Sequence, residues 1–172
     1  MQRKYAGIIK NDVVNGNGVC TSFFVQGCPI HCEGCHNEQD WDFNAGNSLP
    51  DDYLDKIDEA ITANNIQRNF SLLGGEPLCN ENIELSLEIL EHVRNKFPSI
   101  TICVWSGYTF ESLLDRNDSR ITRIFELANM LIDGPFQLAN RDVTLKMRGS
   151  TNQRIIDLKQ STRNKVIEVT FD

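Results

Sequence analysis

The stretch GCPIHCEGCHN, residues 27–37, holds three of the six cysteines of this 172-residue chain. Cys28, Cys32 and Cys35 have the spacing C-x3-C-x2-C, and they follow directly after the apolar run TSFFV, residues 21–25, which is typical of a β-strand. A loop with three thiols and few apolar side chains adds little to a hydrophobic core, but it offers soft sulfur ligands. The sequence therefore predicts a metal or iron–sulfur site directly after this strand.

The number of thiols indicates which kind of centre they hold. Thiolates suit zinc, copper(I) and iron–sulfur clusters, and a 4Fe-4S cluster has four irons to ligate. Three cysteines leave one iron with an open position, as catalytic metal sites keep a position for their substrate. The alternative is a structural zinc site with His31 or His36 as fourth ligand. Zinc ligands usually come as two separated pairs and no second pair follows, so the spacing favours the cluster and leaves zinc open.

Composition and charge argue against several classes of protein. The chain is 40% hydrophobic and 24% charged, as soluble globular proteins are, and its length favours one domain over residues 1–172. A net charge of -7 and a pI near 5.0 argue against a general binder of nucleic acid or anionic membranes. We find no apolar run of the roughly 20 residues that a membrane helix needs, and no secretory signal. We therefore expect a cytoplasmic protein with reduced thiols, which makes a disulfide the least favoured interpretation.

Strand and helix patterns alternate along the rest of the chain. The predicted strands cover residues 5–10, 19–26, 70–73, 100–105, 130–132, 153–158 and 166–171, and the predicted helices cover 49–65, 82–96, a short turn over 109–114, and 119–128. This order is typical of an α/β protein with a mostly parallel sheet. Ligands of such sheets bind at the carboxyl ends of the strands, which is where the cysteine loop lies.

Three further strand ends carry glycine or polar residues. The strand over residues 70–73 runs into Gly74-Gly75-Glu76, in which two glycines permit close approach of a ligand and a carboxylate supplies an anion. The next two strands end in Ser106 and Asp133. Because an ordinary β-to-α turn has the same composition, each segment alone is ambiguous. Their convergence with the cysteine loop at one edge of the sheet favours a ligand site.

Several motifs resemble known families. The motif of Cys28, Cys32 and Cys35 resembles the signature of the radical S-adenosylmethionine (radical SAM) superfamily, and the following His36-Asn37 resembles its members that activate glycyl radical enzymes. Other segments are similar to the activating proteins of the anaerobic (class III) ribonucleoside-triphosphate reductases. These segments are DVVNGNG (12–18), WDF (41–43), GGEPL (74–78), WSGY (105–108), LIDGPF (131–136) and RGSTNQR (148–154).

The resemblance implies a fold, a set of cofactors and a reaction. The fold is a partial, open (β/α) barrel, and the cofactors are a 4Fe-4S cluster on Cys28, Cys32 and Cys35 and S-adenosylmethionine (SAM) at the open iron. One-electron reduction of SAM then yields a 5′-deoxyadenosyl radical that abstracts hydrogen from a glycine Cα, with no acid–base residue. The cofactor-binding residues implied by the resemblance are Gly34, Cys35, His36, Asn37, Gly74, Gly75, Glu76, Ser106 and Asp133.

The implied partners are the large subunit of the anaerobic reductase and a flavodoxin- or ferredoxin-like electron donor. Two other functions stay open: an activator of another glycyl radical enzyme, such as pyruvate formate-lyase, and a non-catalytic, zinc-stabilised binding module. Cys20 and Cys103 fit apolar strands and are expected in the core, and Cys79 is expected not to ligate. Arg148, Asn152 and Arg154 are expected either to form part of a surface that docks the partner or closes the barrel, or to lie in a solvated polar loop.

Overall fold

The computed structural model describes residues 2–171, in which a seven-stranded sheet is flanked by four α-helices. The strands are β1 (Lys4–Asp12), β2 (Cys20–Val25), β3 (Asn47–Ser48), β4 (Asn69–Gly74), β5 (Ile102–Trp105), β6 (Met130–Asp133) and β7 (Arg154–Asp157). The helices are α1 (Tyr53–Thr62), α2 (Ile83–Lys96), α3 (Phe110–Asp115) and α4 (Ser119–Leu127). Short 3-10 turns cover Glu38–Asp40, Ala63–Asn65 and Leu138–Asn140.

The middle of the sheet is parallel and its edges are antiparallel. The strand order is β3-β1-β2-β4-β5-β6-β7, in which β2, β4, β5 and β6 run parallel. β1 pairs antiparallel with β2 and β3, and β7 pairs antiparallel with β6, because no crossover helix separates these strands in the chain. Within residues 2–171 the edge strands β3 and β7 do not pair with each other, so the sheet is open. The α/β class is confirmed, and the expected mostly parallel sheet is corrected at both edges.

Helices cover one face of the sheet and form the main core with it. Alternate strand residues, such as Phe23, Leu72 and Val104, are buried there against apolar side chains of α1, α2 and α4. Burial of each such side chain contributes about 1.5–3 kcal/mol to stability. The packing of the helices against this face therefore stabilises the sheet.

Loops cover the opposite face. Trp105 packs there with Met147, and the buried Cys103 belongs to the same apolar cluster. The loop between β1 and β2 crosses this face too, where the Ser71 hydroxyl donates to Asn15 O at 2.5 Å. The carboxyl ends of the central strands are thus covered by irregular segments, which leave room for a ligand.

One predicted strand is wrong in extent. Residues 166–171 pair with β7 through a single bridge between Glu168 and Ile156, with main-chain hydrogen bonds from Asp157 N to Ile167 O and from Val169 N to Ile155 O. The other predicted strands and helices are confirmed, with ends that differ by at most four residues. Among the residues that the structure describes, the helices are too short or too polar to cross a membrane.

Candidate iron–sulfur and cofactor site

The cysteine loop is tied at its base by main-chain hydrogen bonds. The Gly27 N–H donates to Asp40 O at 2.7 Å and the Cys28 N–H donates to Trp41 O at 3.1 Å. Gly27 has φ +97°, and a Cβ at this position would overlap the Phe43 ring. Glycine is the residue that adopts this turn without strain. The turn and the two hydrogen bonds together close the short loop that carries the three cysteines.

Main-chain N–H groups approach all three sulfur atoms of the loop. Burial raises the pKa of the Cys28 and Cys32 thiols, and the N–H groups act in the opposite direction because they stabilise a thiolate. Hydrogen bonds of this kind tune the reduction potential of iron–sulfur clusters. The Asn37 N–H donates to Cys35 Sγ at 3.3 Å. The N–H groups that lower the thiol pKa values are those of Ile30 and His31 for Cys28 and that of Phe136 for Cys32.

The geometry fits a cluster better than a single metal ion. Within residues 2–171, no three His, Cys, Asp or Glu side chains are placed to hold one metal ion. His31 stacks on Trp41 with 4.5 Å between ring centroids, and His36 is tilted against Phe136, so neither completes a zinc site. In a 4Fe-4S cluster each thiolate binds a different iron, so the sulfur atoms do not have to meet at one point. The donor set therefore fits a cluster that keeps one iron without a protein ligand.

A cavity of about 440 Å³ adjoins the cysteine loop on the loop-covered face of the sheet. Leu73 and Trp105, at the carboxyl ends of β4 and β5, form part of its lining, and Cys35 lies on one side. Residues 14–15 and parts of the segment 136–153 complete the lining. A cavity of this volume is large enough for a nucleoside-sized molecule.

The two glycines after β4 are required by the packing of neighbouring strand ends. Gly74 has φ +108°, and a Cβ there would lie 2.6 Å from Val25 O, while a Cβ on Gly75 would collide with Gly27 O. The Asn37 side chain donates to Gly74 O at 3.3 Å and so ties the cysteine loop to this turn. The structure thus explains the glycines by close approach of backbones, and approach of a ligand stays a prediction.

Glu76 joins the ends of β4 and β5. Its side chain is buried, and its carboxylate accepts hydrogen bonds from Leu78 N (2.9 Å), Ser106 Oγ (2.8 Å) and Gly107 N (2.6 Å). Burial raises the pKa of Glu76 to about 7, against the lowering effect of these donors. The carboxylate therefore fixes the turn that contains Ser106.

Asp133 lies at the end of β6, on the helical face of the sheet. It is 1% exposed and accepts hydrogen bonds from Phe110 N at 2.7 Å and from Arg154 Nε at 3.0 Å and Nη2 at 2.5 Å. Arg154 also pairs with Glu111 of α3. These contacts join β6, β7 and α3.

The structure brings some of the predicted site residues to the cavity. Cys35, His36 and Asn37 line it, and Cys28 and Cys32 lie on the same loop. The part that the other predicted residues play in binding stays a prediction. The predicted residues outside the lining are Gly34, Gly74, Gly75, Glu76, Ser106 and Asp133.

Comparisons with known proteins identify the family. Residues 14–156, which contain the cysteine loop and the whole cavity lining, match the family model of the 4Fe-4S single cluster domain. The chain is 34% identical to the anaerobic ribonucleoside-triphosphate reductase-activating protein of Escherichia coli (strain K12) over 149 residues, which cover 86% of this chain and 94% of that protein. The chain belongs to the family of anaerobic ribonucleoside-triphosphate reductase-activating proteins. Two other relatives carry the same name. The protein of Pasteurella multocida (strain Pm70) is 33% identical over 91% of this chain and 98% of its own length. The protein of Enterobacteria phage T4 is 31% identical over 88% of this chain and 92% of its own length.

Several residues that line the cavity of this activating protein were not among the predicted site residues. Trp105 and Leu73 could have been found from strand alternation, since both fall on the face opposite the main core. Arg148 and Gln153 lie in the segment that resembles the family, but no periodic pattern indicated where that segment packs.

A buried carboxylate, Asp12, holds one wall of the cavity in place. Asp12 accepts hydrogen bonds from the main-chain N–H of Val14 (2.9 Å) and Asn15 (3.0 Å), and from the side chains of Asn15 (2.8 Å) and Ser22 (2.7 Å). Burial tends to raise the pKa of Asp12, but these donors outweigh it and hold the pKa below its usual value. Asp12 thus fixes Val14 and Asn15 beside the cavity.

Proposed function

We propose that this chain is a radical SAM activase that generates a glycyl radical on the anaerobic ribonucleoside-triphosphate reductase. One observation carries the proposal: three thiols on a closed loop, each approached by a main-chain N–H, adjoin a cavity of about 440 Å³ that Cys35 also lines. An open metal position beside a cavity is what direct binding of a cosubstrate requires. Membership of the activating-protein family and the 4Fe-4S domain match support both the cluster and the target.

The chain's own residues bind and orient, while the cofactors supply the radical chemistry. Cys28, Cys32 and Cys35 would hold three irons of the cluster. When bound, the reduced cluster would supply one electron for cleavage of SAM to methionine and a 5′-deoxyadenosyl radical, and that radical would take a hydrogen atom from a glycine Cα of the reductase. The rings of Trp105 and Phe136 in the cavity lining offer flat apolar surfaces that suit the adenine.

The remaining predicted residues support the site from outside the lining in this proposal. Glu76 and Ser106 fix the turn after β5, which adjoins the cavity wall at Trp105. The Gly74 carbonyl accepts a hydrogen bond from the Asn37 side chain and so holds the cysteine loop. Gly34, next to Cys35, lies close to Leu138 and is proposed to approach the nucleoside through its backbone. For Asp133 we propose an indirect role, through Arg154.

We further propose that residues 1–172 form one radical SAM domain, whose open sheet is a partial barrel. The four parallel strands, with the cysteine loop and the cavity at their carboxyl ends, support this proposal. The open edge would admit a glycine-bearing segment of the reductase. A flavodoxin- or ferredoxin-like donor in the cytoplasm, where thiols stay reduced, would supply the electron.

The test is radical formation on the partner. We expect anaerobically reconstituted, reduced protein with SAM and the reductase large subunit to give a glycyl radical signal by electron paramagnetic resonance (EPR), together with 5′-deoxyadenosine. Cys35→Ala should abolish the signal, and Cys79→Ala, which removes a buried thiol outside the loop, should retain it. A radical on pyruvate formate-lyase instead would replace the proposed partner. No radical on either protein, with zinc bound in place of iron, would overturn the proposal.

A further inference from the structure

Asn82 is buried directly before α2, but its side chain does not cap the helix. It is 6% exposed and makes no side-chain hydrogen bond to the first main-chain N–H groups of α2, although asparagine at this position usually accepts one. Its Nδ2 instead donates to Gln26 O (3.1 Å), Gly27 O (3.1 Å) and Glu76 O (3.0 Å). Because all three partners are acceptors, the amide nitrogen and not the amide oxygen must face them.

The first two of these carbonyls belong to the two peptide groups directly before Cys28. At the other end of these peptide groups, the N–H groups donate to Asp40 O at 2.7 Å and to Trp41 O at 3.1 Å. Asn82 thus holds the carbonyl ends of two planar groups whose N–H ends are already held. A peptide group that is bonded at both ends cannot rotate freely, so these contacts fix the direction in which the chain enters Cys28.

The third carbonyl connects the same amide to the turn after β4. In this turn Glu76 N donates to Gly27 O at 2.8 Å, so the turn also contacts the base of the cysteine loop directly. One side chain therefore joins three segments that are distant in sequence: the cysteine loop, the turn after β4 and the start of α2. Removal of the Asn82 donor would take a hydrogen bond from buried carbonyl groups, which is unfavourable.

We infer that Asn82 is a positioning residue that keeps the base of the cysteine loop closed and so slows the loss of iron from the three cysteines. This inference rests on the proposed function, in which Cys28, Cys32 and Cys35 hold the cluster. Asn82 acts through the main chain of residues 26–27. Ligands that are held in place by a second layer of hydrogen bonds retain a metal centre better, so opening of the base should expose the buried Cys28 thiol and speed iron release.

The test compares opening of the loop with opening of the whole sheet, in the full chain before the cluster is reconstituted. Cys28 and Cys103 are both buried, and Cys103 lies in β5, so iodoacetamide reaches either thiol only when its surroundings open. Asn82→Asp keeps the shape of the side chain but loses the N–H donors, and aspartate is also favoured before a helix. We expect it to speed alkylation of Cys28 by about 10-fold and to leave Cys103 within about 2-fold, as measured by peptide mass spectrometry.

A second readout uses the reconstituted protein. We expect Asn82→Asp to release iron to a chelator about 10-fold faster than wild type, because the ligands are less firmly held. Absorbance of the iron–chelator complex over time measures this rate and does not depend on enzymatic activity.

Ser86→Ala is the matched control. The Ser86 hydroxyl is buried in the first turns of α2 and donates to Pro77 O at 2.8 Å, so it also ties α2 to the segment after β4, but its bond does not reach the cysteine loop. This variant should change the rate of Cys28 alkylation and the rate of iron release by less than about 2-fold.

Three results would overturn the inference while the proposed function stands: an equal rise at Cys28 and Cys103, no rise at Cys28, or the same rise in Ser86→Ala. If Asn82→Asp does not fold, Asn82→Ser, whose hydroxyl is too short to replace the amide, decides by the same ratio of the two alkylation rates. Failure of wild type to take up iron at all would overturn both proposals.

Discussion

Replacing Glu76 by glutamine should remove a specific pH dependence from the stability of the protein. The native pKa of Glu76 is raised from 4.5 to about 7, with burial as the largest cause. Between these two pH values the folded protein binds more protons at this site than the unfolded chain does. The contribution of Glu76 to stability is therefore fully present below pH 4.5 and is lost as the pH rises through about 7. At about 1.4 kcal/mol for each pH unit of difference, the loss amounts to about 3 kcal/mol.

The glutamine variant keeps the size of the side chain but no longer titrates. Its amide places a donor near Gly107 N or Ser106 Oγ, as the protonated carboxyl group of wild type does at low pH, so the variant resembles protonated wild type at every pH. We would measure urea unfolding of wild type and Glu76→Gln at half-unit steps from pH 4.5 to 7.5. The unfolding free energy of wild type minus that of Glu76→Gln should fall by about 3 kcal/mol from pH 4.5 to 7.5, because only wild type loses stability at this site. Two parallel pH profiles would refute the reasoning.

Two further substitutions test the packing around the site. Gly75→Ala should destabilise the protein by about 3 kcal/mol or more and reduce iron uptake, because its Cβ would collide with the Gly27 carbonyl. Thermal unfolding measures the loss of stability, and iron analysis measures the loss of iron. Arg154→Gln should cost about 3 kcal/mol in urea unfolding, because it leaves the buried Asp133 carboxylate without its charge partner.

Each of these variants has a control of the same chemistry. Gly7→Ala adds the same methyl group where no atom lies within 4 Å, and it should change stability by less than about 0.5 kcal/mol. Arg163→Gln removes an arginine whose ion pair with Asp115 is exposed, so its cost should stay below about 1 kcal/mol. Equal losses for variant and control would contradict the packing argument.

Much of the fold was predictable because local patterns and chain order agree with it. Buried runs such as residues 70–73 and 130–132 mark the central strands, and the helices between them imply parallel pairing. Each crossover leads to the next strand in the same direction, and right-handed crossovers place their helices on one face. The cavity therefore lies on the other face of the sheet. The alternation of side chains along each strand places Trp105 on that face and Asp133 on the helical face.

The antiparallel edges and the cavity walls were harder to predict. Nothing local in β1 or β7 shows which neighbour each strand pairs with. The contact of Asp12 with Ser22 and the packing of residues 141–149 over the sheet depend on long-range hydrogen bonds between irregular segments. Such segments have no periodicity that indicates a buried face, so Arg148 gained a place in the site only from the structure.

The most direct test of the central claim is the EPR spectrum of the reduced cluster with and without SAM. We expect about four irons per chain after anaerobic reconstitution, and a spectrum that changes on addition of SAM because SAM binds to the iron without a protein ligand. Alanine at Cys28, Cys32 or Cys35 should each remove the cluster. A spectrum that SAM leaves unchanged, or a protein that takes up one zinc ion and no iron, would contradict the account.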